Sequence, residues 1–123
     1  MMKSAWIAAA VTLVGEMACT GVMASDGNDL LKWCKNASSD TPEIQSSFTA
    51  GFCLGTMQTV GELTPFINDG LGPGFKICPP SEITNGQAAR VVVKYIQQNP
   101  EKLHLNATTL TIMALQNAYP CKG

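Results

Sequence analysis

Apolar residues along this chain recur at helical spacing, and they do so in four separate stretches. In Asp29 to Lys35, "DLLKWCK", Leu30, Leu31 and Cys34 share one face by their i, i+3, i+4 spacing. This predicts a short first helix, with Asn28 placed to cap it. Asn36 to Asp40, "NASSD", is a turn-rich break. Thr41-Pro42-Glu43 has the order of a helix start: a cap, a proline at the first position and an acid in the first turn. The second helix is expected to run from there to about Leu63, with Ile44, Phe48 and Phe52 as a stripe. The pentapeptide "GFCLG" then lies inside a helix, and Gly51 and Gly55, four apart, are expected to mark the close approach of another helix. Thr64 to Pro80, "TPFINDGLGPGFKICPP", holds four prolines and three glycines and predicts a long irregular loop. Thr84 and Gln87 form the capping-box pattern that opens a third helix, in which Ala88, Val92, Tyr95, Ile96 and Asn99 fall on one face. Pro100 ends it. Asn106 caps a fourth helix, Ala107 to Tyr119. There Leu110, Met113 and Ala114 face one way and Ile112, Leu115 and Tyr119 widen the apolar arc, which predicts the central helix. The expected fold is all-α: a small bundle of about four helices with one long irregular loop.

The start of the chain has a different character. Met1-Met2-Lys3 is a short basic head, Ser4 to Val14 is apolar but too short to span a bilayer, and Val22-Met23-Ala24 ends in a signal-peptidase pattern. The expectation is an export signal over residues 1–24 and a single helical domain over 25–123. The product would be periplasmic or secreted. Cys19 could in principle take a lipid, but Glu16 stands where a lipobox wants leucine. The formal net charge is −1, which gives no electrostatic footprint for nucleic acid or anionic lipid. Nothing beyond residue 24 is expected to cross a membrane.

Of five cysteines, Cys34, Cys53, Cys78 and Cys121 remain after cleavage. An even number in a small exported domain reads as a disulfide framework, and four cysteines permit three pairings. A short link makes helices three and four antiparallel, so Cys78, before the first, should meet Cys121, after the second. Cys34 with Cys53 follows by subtraction and ties helix one to helix two. The rival is catalytic: Cys53 as a thiolate nucleophile and His104, the single histidine, as its base. His104 lies in an inter-helix link, and Cys53 has no oxyanion turn beside it, so no catalytic residue is assigned. No metal or cofactor motif occurs. Asn36-Ala37-Ser38 and Asn106-Ala107-Thr108 match the glycosylation pattern, and Asn106 has a plainer use as a cap.

Leu30-Leu31-x-x-Cys34, Cys53-x-Gly55, Cys78-x-Pro80, Thr84-x-x-Gln87, Val91 to Tyr95, Asn99-Pro100-Glu101-x-Leu103-His104, Ala107, and Ala114-Leu115 through Ala118-Tyr119-Pro120-Cys121 together resemble the Rap/Tai family. These are immunity proteins against amidase effectors of type VI secretion. The resemblance is most specific in the C-terminal half, and Thr56 departs from it where an aromatic residue is expected. It implies a small helical periplasmic protein, often a homodimer, that binds a secreted peptidoglycan amidase and blocks its active site. It implies no catalytic residue in this chain. The loop from Thr64 to Lys76 is the expected probe, with Phe66, Asn68, Asp69, Phe75 and Lys76 as contact residues. The plainer alternative has Phe66 or Phe75 folded back on the core. A second function class is a periplasmic chaperone or accessory binding protein, although Met57 and Met113 are sparse for a promiscuous surface.

Overall fold

The computed structural model describes residues 25–38 and 44–122. The export segment with Cys19 and the Thr41-Pro42-Glu43 start lie outside the described residues. Four α-helices follow in order: α1 (Gly27–Ala37), α2 (Ile44–Asp69), α3 (Asn85–Gln98) and α4 (Ala107–Ala118). Tight 3₁₀ turns occur at Pro73–Phe75 and Pro100–Lys102. Among the described residues there is no strand, only isolated bridges joining Asp26 to Asn106 and Ile77 to Pro120. Both expected disulfides are present, Cys34–Cys53 and Cys78–Cys121, with Cα separations of 5.0 and 4.9 Å.

Helix α1 begins two residues earlier than the apolar spacing predicts, and Asp26, not Asn28, is its cap. The Asp26 carboxylate accepts from the backbone N–H groups of Asn28 (2.9 Å) and Asp29 (3.1 Å), and Asp29 returns the bond to the Asp26 N–H. These bonds, that from Asp29 foremost, hold the Asp26 carboxyl below its ordinary pKa. An acidic cap also meets the positive end of the helix dipole. Gly27 sits where backbone comes close. Its N–H donates to the Leu103 carbonyl at 2.9 Å, and an added Cβ would lie 2.8 Å from that oxygen and 2.6 Å from Leu110 Cδ1. The Ala107 N–H donates to Ser25 O, so the segment entering the domain is stitched to the start of α4.

The packing centre is α1 and not α4. Helix α1 touches all three other helices, most extensively α2. Leu30 and Cys34 of α1 are fully buried against Cys53, Met57 and Val60 of α2, Ala89, Val92 and Ile96 of α3, and Leu110 and Ala114 of α4. The broad apolar arc of α4 is only partly used: Ile112 and Met113 are half-buried. Polar groups drawn into this core are paired. Thr64 and Thr111 each donate to the carbonyl four residues back, and the Tyr95 hydroxyl accepts from Lys102 Nζ at 2.9 Å. That bond foremost, with the nearby Glu101 carboxylate adding to it, raises the Lys102 pKa; the ammonium also lies 5.3 Å from the centre of the Tyr95 ring. The capping boxes of Thr84–Gln87 and the Asn106 cap form as the sequence predicts.

Helix α2 differs most from expectation. It runs on through Pro65 to Asp69, so the irregular segment starts at Gly70 and not at Thr64. A proline deprives the residue four back of its donor and crowds that carbonyl. Here the residue four back is Gly61, exposed and without a side chain, and Thr64 adds a hydroxyl bond to the Val60 carbonyl just before the proline. Beyond Pro65, Asn68 anchors the last turn. Its amide donates to the Ile77 carbonyl and accepts from the Ile77 N–H, both at 2.8 Å.

Candidate functional site

The catalytic rival is removed by packing. Cys53 is fully buried and bonded to Cys34, so it carries no thiolate, and His104 is exposed on the α3–α4 link. Among the described residues no cluster of histidine, cysteine or carboxylate side chains could hold a metal ion. Both asparagines of the glycosylation pattern have work inside the fold. Asn36 donates to Thr49 Oγ1 at 2.9 Å, and Asn106 Oδ1 accepts from the Thr109 N–H at 2.8 Å.

What the structure does offer is surface. The segment after α2 turns tightly at Gly70 and Leu71, makes the Pro73–Phe75 turn, and re-enters the core at Ile77. It is held at several points. Asn68 grips Ile77 in both directions, Gln116 Nε2 donates to the Phe75 carbonyl at 2.8 Å, and the Cys78 N–H donates to the Tyr119 carbonyl at 2.8 Å. The Cys78–Cys121 bridge closes the same end of the bundle. At the tip Phe75 is 64 % exposed. Lys76 is half-buried and Asp69 exposed. Of the residues expected to form a probe, Phe75 and Lys76 lie on this braced loop, while Phe66, Asn68 and Asp69 lie on the last turns of α2. Asn68 has both arms of its amide engaged within the chain. Neither Phe66 nor Phe75 folds back on the core.

The sequence reading missed a second surface. Helix α2 buries Ala50, Cys53, Met57, Val60 and Thr64 and turns Phe48, Phe52, Leu63 and Phe66 to solvent. Gly51 and Gly55 lie on that outer face too, and a Cβ on either would meet nothing within 4 Å. The expected helix against these glycines is therefore not found among the described residues. A glycine inside a helix costs about 1 kcal/mol relative to alanine, and nothing among the described residues offsets it here. The aromatic rings are pre-arranged: Phe52 stacks on Trp33 at 5.1 Å and Phe48 stands edge-on to Phe52 at 5.2 Å. Phe52, Gly55, Thr59, Leu63, Ile67, Thr108 and Ile112 line an open apolar groove of about 480 Å³ along this face. The signal was readable: in the 26 residues of α2 the only ionisable side chains are Glu62 and Asp69. A long surface helix with so little charge presents an apolar outer face.

The sequence model of the family described as Rap1a immunity proteins matches residues 26–121. The match starts at the α1 cap and ends at the last cysteine, so it spans all four helices and both disulfides. No curated protein and no solved structure matches the chain.

Proposed function

The chain belongs to the Rap1a immunity protein family, a binding and not a catalytic family, and from that premise we propose that it neutralises a peptidoglycan amidase effector of type VI secretion by covering the amidase's active site. The observation that carries the mode of action is the braced loop from Gly70 to Ile77. A loop pinned by Asn68, Gln116 and a disulfide presents Phe75 with little ordering left to lose on binding. An exposed aromatic at the centre of a polar rim is the usual anchor of such an interface, and Asp69 and Lys76 supply that rim. Asn68 then acts by positioning the loop and not by contact. Two disulfides in a chain of this size support the periplasm as its place of action, after removal of residues 1–24. The same reading has two chains associate as a homodimer.

The test is direct. Mature chain from Ser25 onward is mixed with peptidoglycan amidase effectors of type VI secretion, and complex formation and peptidoglycan cleavage are followed. A stable complex with lost cleavage is expected, and full cleavage at excess inhibitor would sink the reading. Replacing residues 70–76 with a Gly/Ser linker should abolish inhibition while helical content stays the same; unchanged affinity would remove the loop from the interface. The apolar outer face of α2 favours one further reading, a chaperone that shields unfolded clients. Suppression of client aggregation without any effect on the amidase would select it.

A further inference from the structure

We infer that the Ala24–Ser25 bond is a processing site in the unfolded chain and is locked in the folded one, so that the export peptidase must cut before this domain closes. This rests on the export proposed above, in which residues 1–24 are removed, and adds to it the order of the two events.

A peptidase takes its substrate as an extended segment whose main chain is free on both sides of the bond it cuts. Ser25, Asp26 and Gly27 directly follow that bond, and all three are committed within the fold. The Ser25 carbonyl accepts from the Ala107 N–H at 2.9 Å. Asp26 pairs with Asn106 in an isolated bridge, and its carboxylate caps α1 through the N–H groups of Asn28 and Asp29. Gly27 is buried, already helical, and donates its N–H to the Leu103 carbonyl at 2.9 Å. Its α-carbon lies so close to the Leu103 backbone that even a methyl group does not fit between them. A free arm of a few residues would let the peptidase in, and there is none between the bond and the first of these anchors.

The anchors come from far along the chain. Leu103 lies on the α3–α4 link, and Asn106 and Ala107 form the start of α4. In a chain exported N-terminus first, these partners arrive last, and the bond passes the peptidase while Ser25 to Gly27 have nothing to dock on. Once they have docked, exposing the bond means breaking two backbone hydrogen bonds and a helix cap. With each worth roughly a fivefold bias, the open form is on the order of one molecule in a hundred. Cleavage of a folded chain then follows that open fraction. The same order serves the disulfides. The chain has five cysteines until Cys19 leaves, and with processing first only the four that form Cys34–Cys53 and Cys78–Cys121 are present when the bridges close.

The experiment uses the full chain, residues 1–123, carrying Cys19→Ser so that the two disulfides form without a fifth thiol. It is folded and oxidised in detergent micelles, checked by circular dichroism, and incubated with bacterial signal peptidase, and the products are weighed by mass spectrometry. Two companions are treated alike. One is the same chain reduced and alkylated, which cannot rebuild a core that buries Cys34 and Cys53 completely. The other is folded and oxidised but carries a Gly/Ser linker of about ten residues, roughly 33 Å when extended, between Ala24 and Ser25. The alkylated chain and the linker chain should be cut after Ala24 at similar rates, and the folded chain without a linker on the order of 100-fold more slowly. Equal rates for the folded chains with and without the linker would overturn the inference. Resistance of the linker chain would overturn it too, because something other than the docking of Ser25 to Gly27 would then protect the bond. An alkylated chain left uncut after Ala24 would overturn the export reading itself.

Discussion

Alanine in place of glycine should have opposite effects at two positions of this fold. At Gly27 an added Cβ would lie 2.6 Å from Leu110 Cδ1, 2.8 Å from Leu103 O and 2.9 Å from Leu103 Cα. Leu110 Cδ1 is the end of a side chain and can rotate, although Leu110 is fully buried; the Leu103 contacts are backbone and cannot. The methyl therefore drives α1 away from the α3–α4 link. That strains the Gly27 N–H bond to Leu103 O and the neighbouring Ala107-to-Ser25 bond. Overpacking costs about 1–3 kcal/mol and a weakened backbone hydrogen bond about 1 kcal/mol more, so Gly27→Ala should lose roughly 2–4 kcal/mol. At Gly55 the Cβ meets nothing, and Gly55→Ala should gain up to about 1 kcal/mol of helix propensity. Both are best measured by urea unfolding of the oxidised mature chain. With a slope of about 1–3 kcal/mol/M, the midpoint should fall by about 0.7–4 M for Gly27→Ala and rise slightly for Gly55→Ala. Equal stability of Gly27→Ala and its parent would refute the close-approach account of that glycine. A destabilised Gly55→Ala would mean that α2 has an intramolecular neighbour on its outer face.

Three further outcomes follow from the described contacts. Asn68→Ala leaves the N–H and C=O of buried Ile77 without their partner; it should cost about 1–3 kcal/mol and weaken amidase inhibition more than it lowers helical content, read by titration and circular dichroism. Cys78 is exposed whereas Cys34 and Cys53 are fully buried, so mild dithiol under native conditions should open Cys78–Cys121 first, as alkylation and peptide mapping would show; simultaneous opening would contradict this. The folded Asp26 carboxyl lies below its ordinary pKa, so its contribution to stability is present above the unfolded value near about 4 and fades as pH falls through the folded value. The stability difference between wild type and Asp26→Asn should therefore shrink steadily below about pH 4, and a difference constant with pH would refute the charged-cap account.

Much of the fold was legible because local signals and packing agree in it. The Thr84–Gln87 box, the Asn106 cap and the stop at Pro100 are chemistry of a few adjacent residues, and nothing in the tertiary structure overrides them. The disulfides followed from an antiparallel α3–α4 hairpin. Three readings failed where neighbours distant in sequence decide. Asp26 and not Asn28 is the cap because the chain is held there on both sides, Ser25 by the α4 start at Ala107 and Gly27 by Leu103 of the α3–α4 link. Pro65 reads as a terminator in the sequence, but an exposed Gly61 four residues back and the Asn68 clamp on Ile77 let α2 continue. The glycines of "GFCLG" were assigned an internal neighbour because spacing alone cannot say which side of a helix faces its own core. The same gap hid the outer face of α2, although its scarcity of charge was already readable in the sequence.

Helix α2 is not tuned for its own stability. Three of its glycines are exposed and a proline stands inside it, and nothing among the described residues packs on Gly51 or Gly55. What its length does achieve is position: the helix continues past Pro65 until Asn68 can grip Ile77 in both directions, and that grip sets the braced loop that carries Phe75.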